Sequence, residues 1–263
     1  MSKETERVFR LMKEQLNFEE MTEEEAGKAI SKFINDLNEG KINYGESPWE
    51  KSDELFNQAL EADSIEESKK LAKKAIKENP RNLEAAIFLA ECENNLFKIL
   101  ENLNKIIKDE EKILTEEGFF DEDCIGAFWG IHETRPYMRA CYRRMELLID
   151  LSRFSEAADC CEQLLKLNEN DNMAVRYRLI SLYAVLERFQ EGIDLYNDFA
   201  ESTVLMLLPL SILYYKKGDY KRAKATITKM KAANEYIIDC ITGYKEISDC
   251  NRFTSSVAHF DEF

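Results

Sequence analysis

LSRFSEA at 151–157, LERFQEG at 186–192 and KKGDYKRA at 216–223 are three versions of one phrase. Each is a short polar turn that carries an aromatic residue, Phe154, Phe189 or Tyr220, and then a small one, Ala157, Gly192 or Ala223. The small residues lie 35 and then 31 positions apart. Apolar residues recur at helical spacing on both sides of each turn, so the unit is a pair of helices joined tightly. A repeat of about 34 residues built this way cannot bury its apolar face alone, and it stacks on its neighbours.

Working outward, the pairs run over about 135–151 with 154–167, 172–186 with 189–201, and 204–217 with 219–233. A last helix is expected at about 235–247, followed by a loose tail over 248–263. Upstream, the phrase KKAIKENPRNLEAAIFLAE (73–91) closes one helix at Asn79-Pro80 and opens the next at the cap Asn82. Ala85, Ala86, Leu89 and Ala90 supply the small faces of that next helix. The repeat then fails: 95–115 reads as one long helix, and EEGFFDEDCIGAFWGI (116–131) as an irregular insertion. Arg135 or Thr134 caps the helix that follows, with Pro136 in its first turn. At the start of the chain, 3–17 and 22–38 read as helices, the second capped by Thr22 and closed by Gly40. A loop at 42–48 divides an N-terminal helical segment, 1–46, from the repeat region, 47–247. Pro209 interrupts an apolar helical pattern and predicts a bend or a later start near Leu208.

ENPRNLEAAIFLAE (78–91), FWGIHETRPYMRA (128–140) and LLKLNENDNMAVRYRL (164–179), in that order, resemble the tetratricopeptide repeat superfamily. Within it they are similar to a branch of bacterial proteins related to the C-terminal region of the suppression-of-tumorigenicity proteins. The likeness covers about 49–243. It implies an all-α, right-handed α-solenoid of helix pairs that acts in protein interaction, with no established enzymatic activity. It also implies that the first helix of each pair lines a concave groove. The chain departs from the usual pattern at Glu169, where proline is common, and at Gly192, where alanine is common. Gly192 is expected to weaken its helix by about 1 kcal/mol.

Composition narrows the function. The 263 residues carry a net charge of −15, which disfavours nucleic acid and anionic membranes as partners. The N-terminus lacks the apolar core of a signal peptide, and the longest apolar stretch, VLMLLPLSILYY (204–215), is too short to span a bilayer. A cytoplasmic protein is expected. Seven cysteines are scattered without a C-x-x-C pair and read as buried free thiols. Two histidines, His132 and His259, are too few for a zinc site with them, so neither metal nor cofactor is expected. His132-Glu133 stands outside any catalytic motif.

Arginines form the one basic cluster in this acidic chain. Arg135, Arg139 and Arg143 recur every four residues along one helical face, with Arg144 beside them. Arg176 and Arg178 sit on the first helix of the next pair. Guanidinium groups bind carboxylates through a planar fork, so the natural ligand is an acidic peptide or protein segment, or a C-terminal carboxylate. The alternative is internal pairing, for which Glu133, Glu146, Glu162 and Asp171 are near in sequence. Phe119, Phe120, Phe128 and Trp129 in the insertion read either as a wedge for a partner or as a lid folded onto the repeat. The leading function is therefore a non-enzymatic interaction module. A peptide-sensing regulator that changes shape is one alternative, and an effector or enzyme with a site in 116–134 is another. The tail, ending His259-Phe260-Asp261-Glu262-Phe263, offers acids to the arginines of its own chain or of a second copy in a homodimer.

Overall fold

A computed structural model describes residues 3–18, 21–42, 47–234 and 236–243. Among them it is all-helical, with 13 α-helices and no strand. The helices are α1 (Lys3–Gln15), α2 (Glu23–Asn38), α3 (Pro48–Glu61), α4 (Ile65–Glu78), α5 (Leu83–Glu91), α6 (Leu96–Glu116) and α7 (Arg135–Asp150). They continue with α8 (Phe154–Leu167), α9 (Val175–Leu186), α10 (Phe189–Phe199), α11 (Val204–Lys216), α12 (Tyr220–Ala233) and α13 (Ile237–Ile241). The tail expected to be loose lies outside the described residues, as do the end of the last expected helix, Cys250 and His259.

Local chemistry fixes most of these boundaries. Thr22 and Glu25 form a reciprocal capping box at the start of α2, and Gly40 follows its end at φ 68°. Asn82 caps α5 through the backbone N–H of Ala85, 3.0 Å away. Helix α9 begins at Val175 rather than 172, because Asp171 and Ala174 both take left-handed backbone conformations. Helix α11 begins at Val204, where its pair was expected to start, and runs through Pro209, so the alternative of a later start near Leu208 is not found. The last helix is described over Ile237–Ile241.

Contacts divide the chain into two compact units. The first holds 1–152 together with 163–172. In it α3 packs on α4, α4 on α5, α5 on α6 and α7, and α6 on α7. One apolar cluster joins Phe56, Ala59, Ala72, Ala75 and Ala85, where alanines let the helix backbones approach. A second joins Leu11 and Met12 of α1 to Phe33 of α2, with Trp49 of α3 packed against it. The second unit holds 153–162 and everything from 173 on. Here α9 packs on α10 and α11, and α11 on α10 and α12. Leu207, Met230 and Ile237 anchor its C-terminal cluster. No helix among the described residues is long and apolar enough to cross a membrane.

Candidate functional site

The insertion between α6 and α7 is packed rather than presented. Phe128 is fully buried, with the ring of Phe120 edge-on at 5.0 Å and Tyr137 of α7 at 6.3 Å. Backbone hydrogen bonds pin the segment down: the N–H of Phe128 donates to the carbonyl of Leu167 at 3.0 Å, and the N–H of Glu169 to Gly126 at 3.0 Å. Thr134, the N-cap residue of α7, turns its hydroxyl back to the carbonyls of Phe128 and Ile131 instead of capping the helix. The aromatic residues thus form a lid on their own unit. Cys141, Cys160 and Cys161 are buried free thiols, and Cys92 and Cys124 are half-buried free thiols.

The five candidate arginines fall into two groups. Arg135, Arg139 and Arg143 follow one another down α7 in the first unit, and their burial falls in that order. Arg135 is 2% exposed; its Nε donates to the carbonyl of Trp129 at 2.7 Å, and its guanidinium lies over the Trp129 ring. Its Nη1 reaches Glu6 of α1 at 3.4 Å. Arg139 binds the same carboxylate with both terminal nitrogens, at 3.0 and 3.2 Å, and donates through Nε to Glu84 of α5 at 2.5 Å. Burial disfavours the Arg139 cation, but Glu84 and Glu6 outweigh that, and its pKa goes up. Arg143 is exposed and pairs with Glu91 and Glu146.

Arg176 and Arg178 belong to α9 in the second unit. Arg176 donates to Glu201 and to the hydroxyl of Tyr177, each at 2.8 Å, and its guanidinium covers the Tyr177 and Phe199 rings. Arg178 is exposed and has no ion pair among the described residues. Of the acids near in sequence, Glu146 pairs with Arg143. Glu133 goes to Lys13, and Glu162 to Arg188 and Tyr183. The arginine partners that sequence reasoning missed, Glu6, Glu84, Glu91 and Glu201, lie 25 to 133 positions away.

Sequence reasoning also missed a feature around Arg178. Helix α11 is apolar on all sides, a pattern that ordinarily means complete burial. One row stays exposed: Leu205, Ile212 and Tyr215, with Leu208 half-buried between them. On α9, which packs on α11, the corresponding exposed row is Arg178, Ser181 and Val185. Tyr215 is 64% exposed and meets Tyr220 edge-on at 5.4 Å. Lys216 ties the two helices together, donating to the carbonyl of Ala184 and pairing with Glu187. Of the two candidate arginines on α9, Arg178 is the exposed one, without an ion pair among the described residues.

No curated protein matches the chain. Among solved structures, the chain is similar to the nearly identical tetratricopeptide-like repeats of a putative kinesin light chain from Podosopora anserina. The identity is 14%, the match covers 72% of this chain and 96% of that one, and the TM-score is 0.47. Residues 142–203 match the family model of the tetratricopeptide repeat. That stretch runs from within α7 to the end of α10 and contains two of the three turn phrases, 151–157 and 186–192.

Proposed function

We propose that the chain is a non-enzymatic interaction module that binds a peptide or protein segment bearing apolar side chains and an acid, using the exposed face of α9 and α11. Tetratricopeptide repeats generally mediate protein–protein interaction, which gives the class. The observation that supports this site is the exposed apolar row Leu205, Ile212, Tyr215 and Val185 beside Arg178, the candidate arginine left without an acid. Apolar groups grouped at a surface mark interaction sites, and a guanidinium beside them selects a carboxylate. Arg135, Arg139 and Arg176 are engaged by acids of this chain and are not offered at this face.

Affinity selection of a random peptide library on the intact chain tests the reading. Selected peptides are expected to combine an acid with aliphatic or aromatic residues. Arg178→Glu and Ile212→Asp should each weaken them by tenfold or more while helical circular dichroism is unchanged. Peptides that bind both variants as tightly as the parent chain would place the site elsewhere.

A further inference from the structure

Helix α1 meets the start of α7 through a matched set of three groups. Glu6 takes the guanidinium groups of Arg135 and Arg139, and is itself 5% exposed. Phe9 stacks on the imidazole of His132, with ring centroids 4.3 Å apart and planes at 27°. Lys13 pairs with Glu133. Glu6, Phe9 and Lys13 stand at i, i+3 and i+7, so they share one face of α1.

The seam beneath this face differs from a packed core. A half-open cleft of about 330 Å³ runs along it, lined by Glu6, Arg7, Arg10, Arg81, Glu84 and Arg139, among others. Arg10 stacks on Trp49 at 5.1 Å and has no ion pair among the described residues. The apolar anchors of α1, Leu11 and Met12, point instead to Phe33 and Trp49. On the α7 side, then, α1 is held by charge pairs and one stacked ring. Breaking such a buried pair leaves a charge without its partner, so a competing helix must supply the same charges in return. The same contacts would form with any helix that offers the same three groups.

We infer that the start of α7 is a docking surface for a partner helix presenting a glutamate, an aromatic and a lysine at i, i+3 and i+7, and that α1 is its resident occupant. The inference is independent of the α9–α11 face, which lies in the other unit. A tethered occupant acts at millimolar effective concentration, so the intact chain resists a weak competitor and yields only to a matching helix.

The probe is a fluorescent peptide of residues 1–18, offered to the intact chain and to its Glu6→Arg variant, whose own α1 is repelled by Arg135 and Arg139. The variant is expected to bind the peptide at least tenfold more tightly than the parent chain. Binding should be lost when the peptide itself carries Glu6→Arg or Lys13→Glu. Equal binding to both chains, no binding to the variant, or binding indifferent to those two peptide substitutions would overturn the inference. Chromatography of the variant separates a partner site from exchange between copies: a dimer that forms without peptide would assign the surface to a second copy and overturn the partner reading. If Glu6→Arg loses helical content, amide exchange of the unaltered chain decides. Amides of α1 exchanging tenfold faster than those of α7 support a displaceable helix, and equal protection refutes it.

Discussion

Glu6 and Arg139 lie 133 positions apart and share two parallel hydrogen bonds, at 3.0 and 3.2 Å. The pair ties the first helix of the chain to the helix that was expected to greet an outside acid. Down α7 the pairing grades from buried to exposed, and so should its energetic weight. Removing one partner of a buried pair costs about 3–5 kcal/mol, whereas exposed pairs are worth about 0–1 kcal/mol. Arg135→Met is therefore expected to lower stability by about 3 kcal/mol, since it also strands the Trp129 carbonyl. Arg143→Ala should change it by less than about 1 kcal/mol. Urea denaturation of the two variants checks the contrast.

Gly192 reverses the sequence expectation. Helix propensity alone makes Gly192→Ala stabilising by about 1 kcal/mol. In the folded chain a Cβ there would collide with the fully buried Leu213 of α11. Overpacking of this kind costs about 1–3 kcal/mol, so Gly192→Ala should lower stability, and Leu213→Val in the same chain should recover part of the loss. Thermal melts of the single and double variants measure it.

Tyr137 is fully buried, and its hydroxyl has no nitrogen or oxygen partner among the described residues; the Cys141 thiol lies beside it. Burial pushes the hydroxyl pKa well up. A buried hydroxyl without a strong partner adds little stability, and Tyr137→Phe should be neutral or stabilising by up to about 1 kcal/mol. A loss above that in chemical denaturation would show the thiol contact to be worth more.

His132 gives the fold a sign in pH. Burial, and then the Arg135 cation, hold its imidazole below the ordinary 6.5, against Glu6 and Glu133, which raise it; Arg10 lowers it further. The unfolded chain therefore binds the proton more readily than the folded one. Stability from this group is complete above 6.5 and is lost as pH falls from there towards the depressed folded value. Replacing His132 by Phe keeps the stack on Phe9 and should flatten the pH dependence below 6.5. Denaturation midpoints across that range test it.

The helix pairs were legible in the sequence because caps and apolar periodicity are local. Thr22, Asn82 and Pro136 each sit where their chemistry places them. The arginine partners were not legible. A sequence reading looks for acids within a few turns, whereas Arg139 takes Glu84 and Glu6 from helices brought to it by folding. The exposed row on α11 was hidden for the opposite reason. Apolar on every side, the helix has no pattern that says which face stays out. Helix α9 began late because two residues without an obligatory glycine, Asp171 and Ala174, adopt positive φ.

The hydrogen bonds from Phe128 to Leu167 and from Glu169 to Gly126 also bear on how the chain can be dissected. Residues 163–172 belong to the first unit although 153–162, before them, belong to the second. The two units are interleaved along the polypeptide, so no single cleavage point yields both intact. A fragment ending at 152 forfeits the backbone acceptor that holds the insertion, and one starting at 173 forfeits the opening turns of α8. A nascent chain meets the same constraint: the backbone hydrogen bonds from Phe128 and to Gly126 cannot form until Leu167 and Glu169 have been synthesised, some forty residues later.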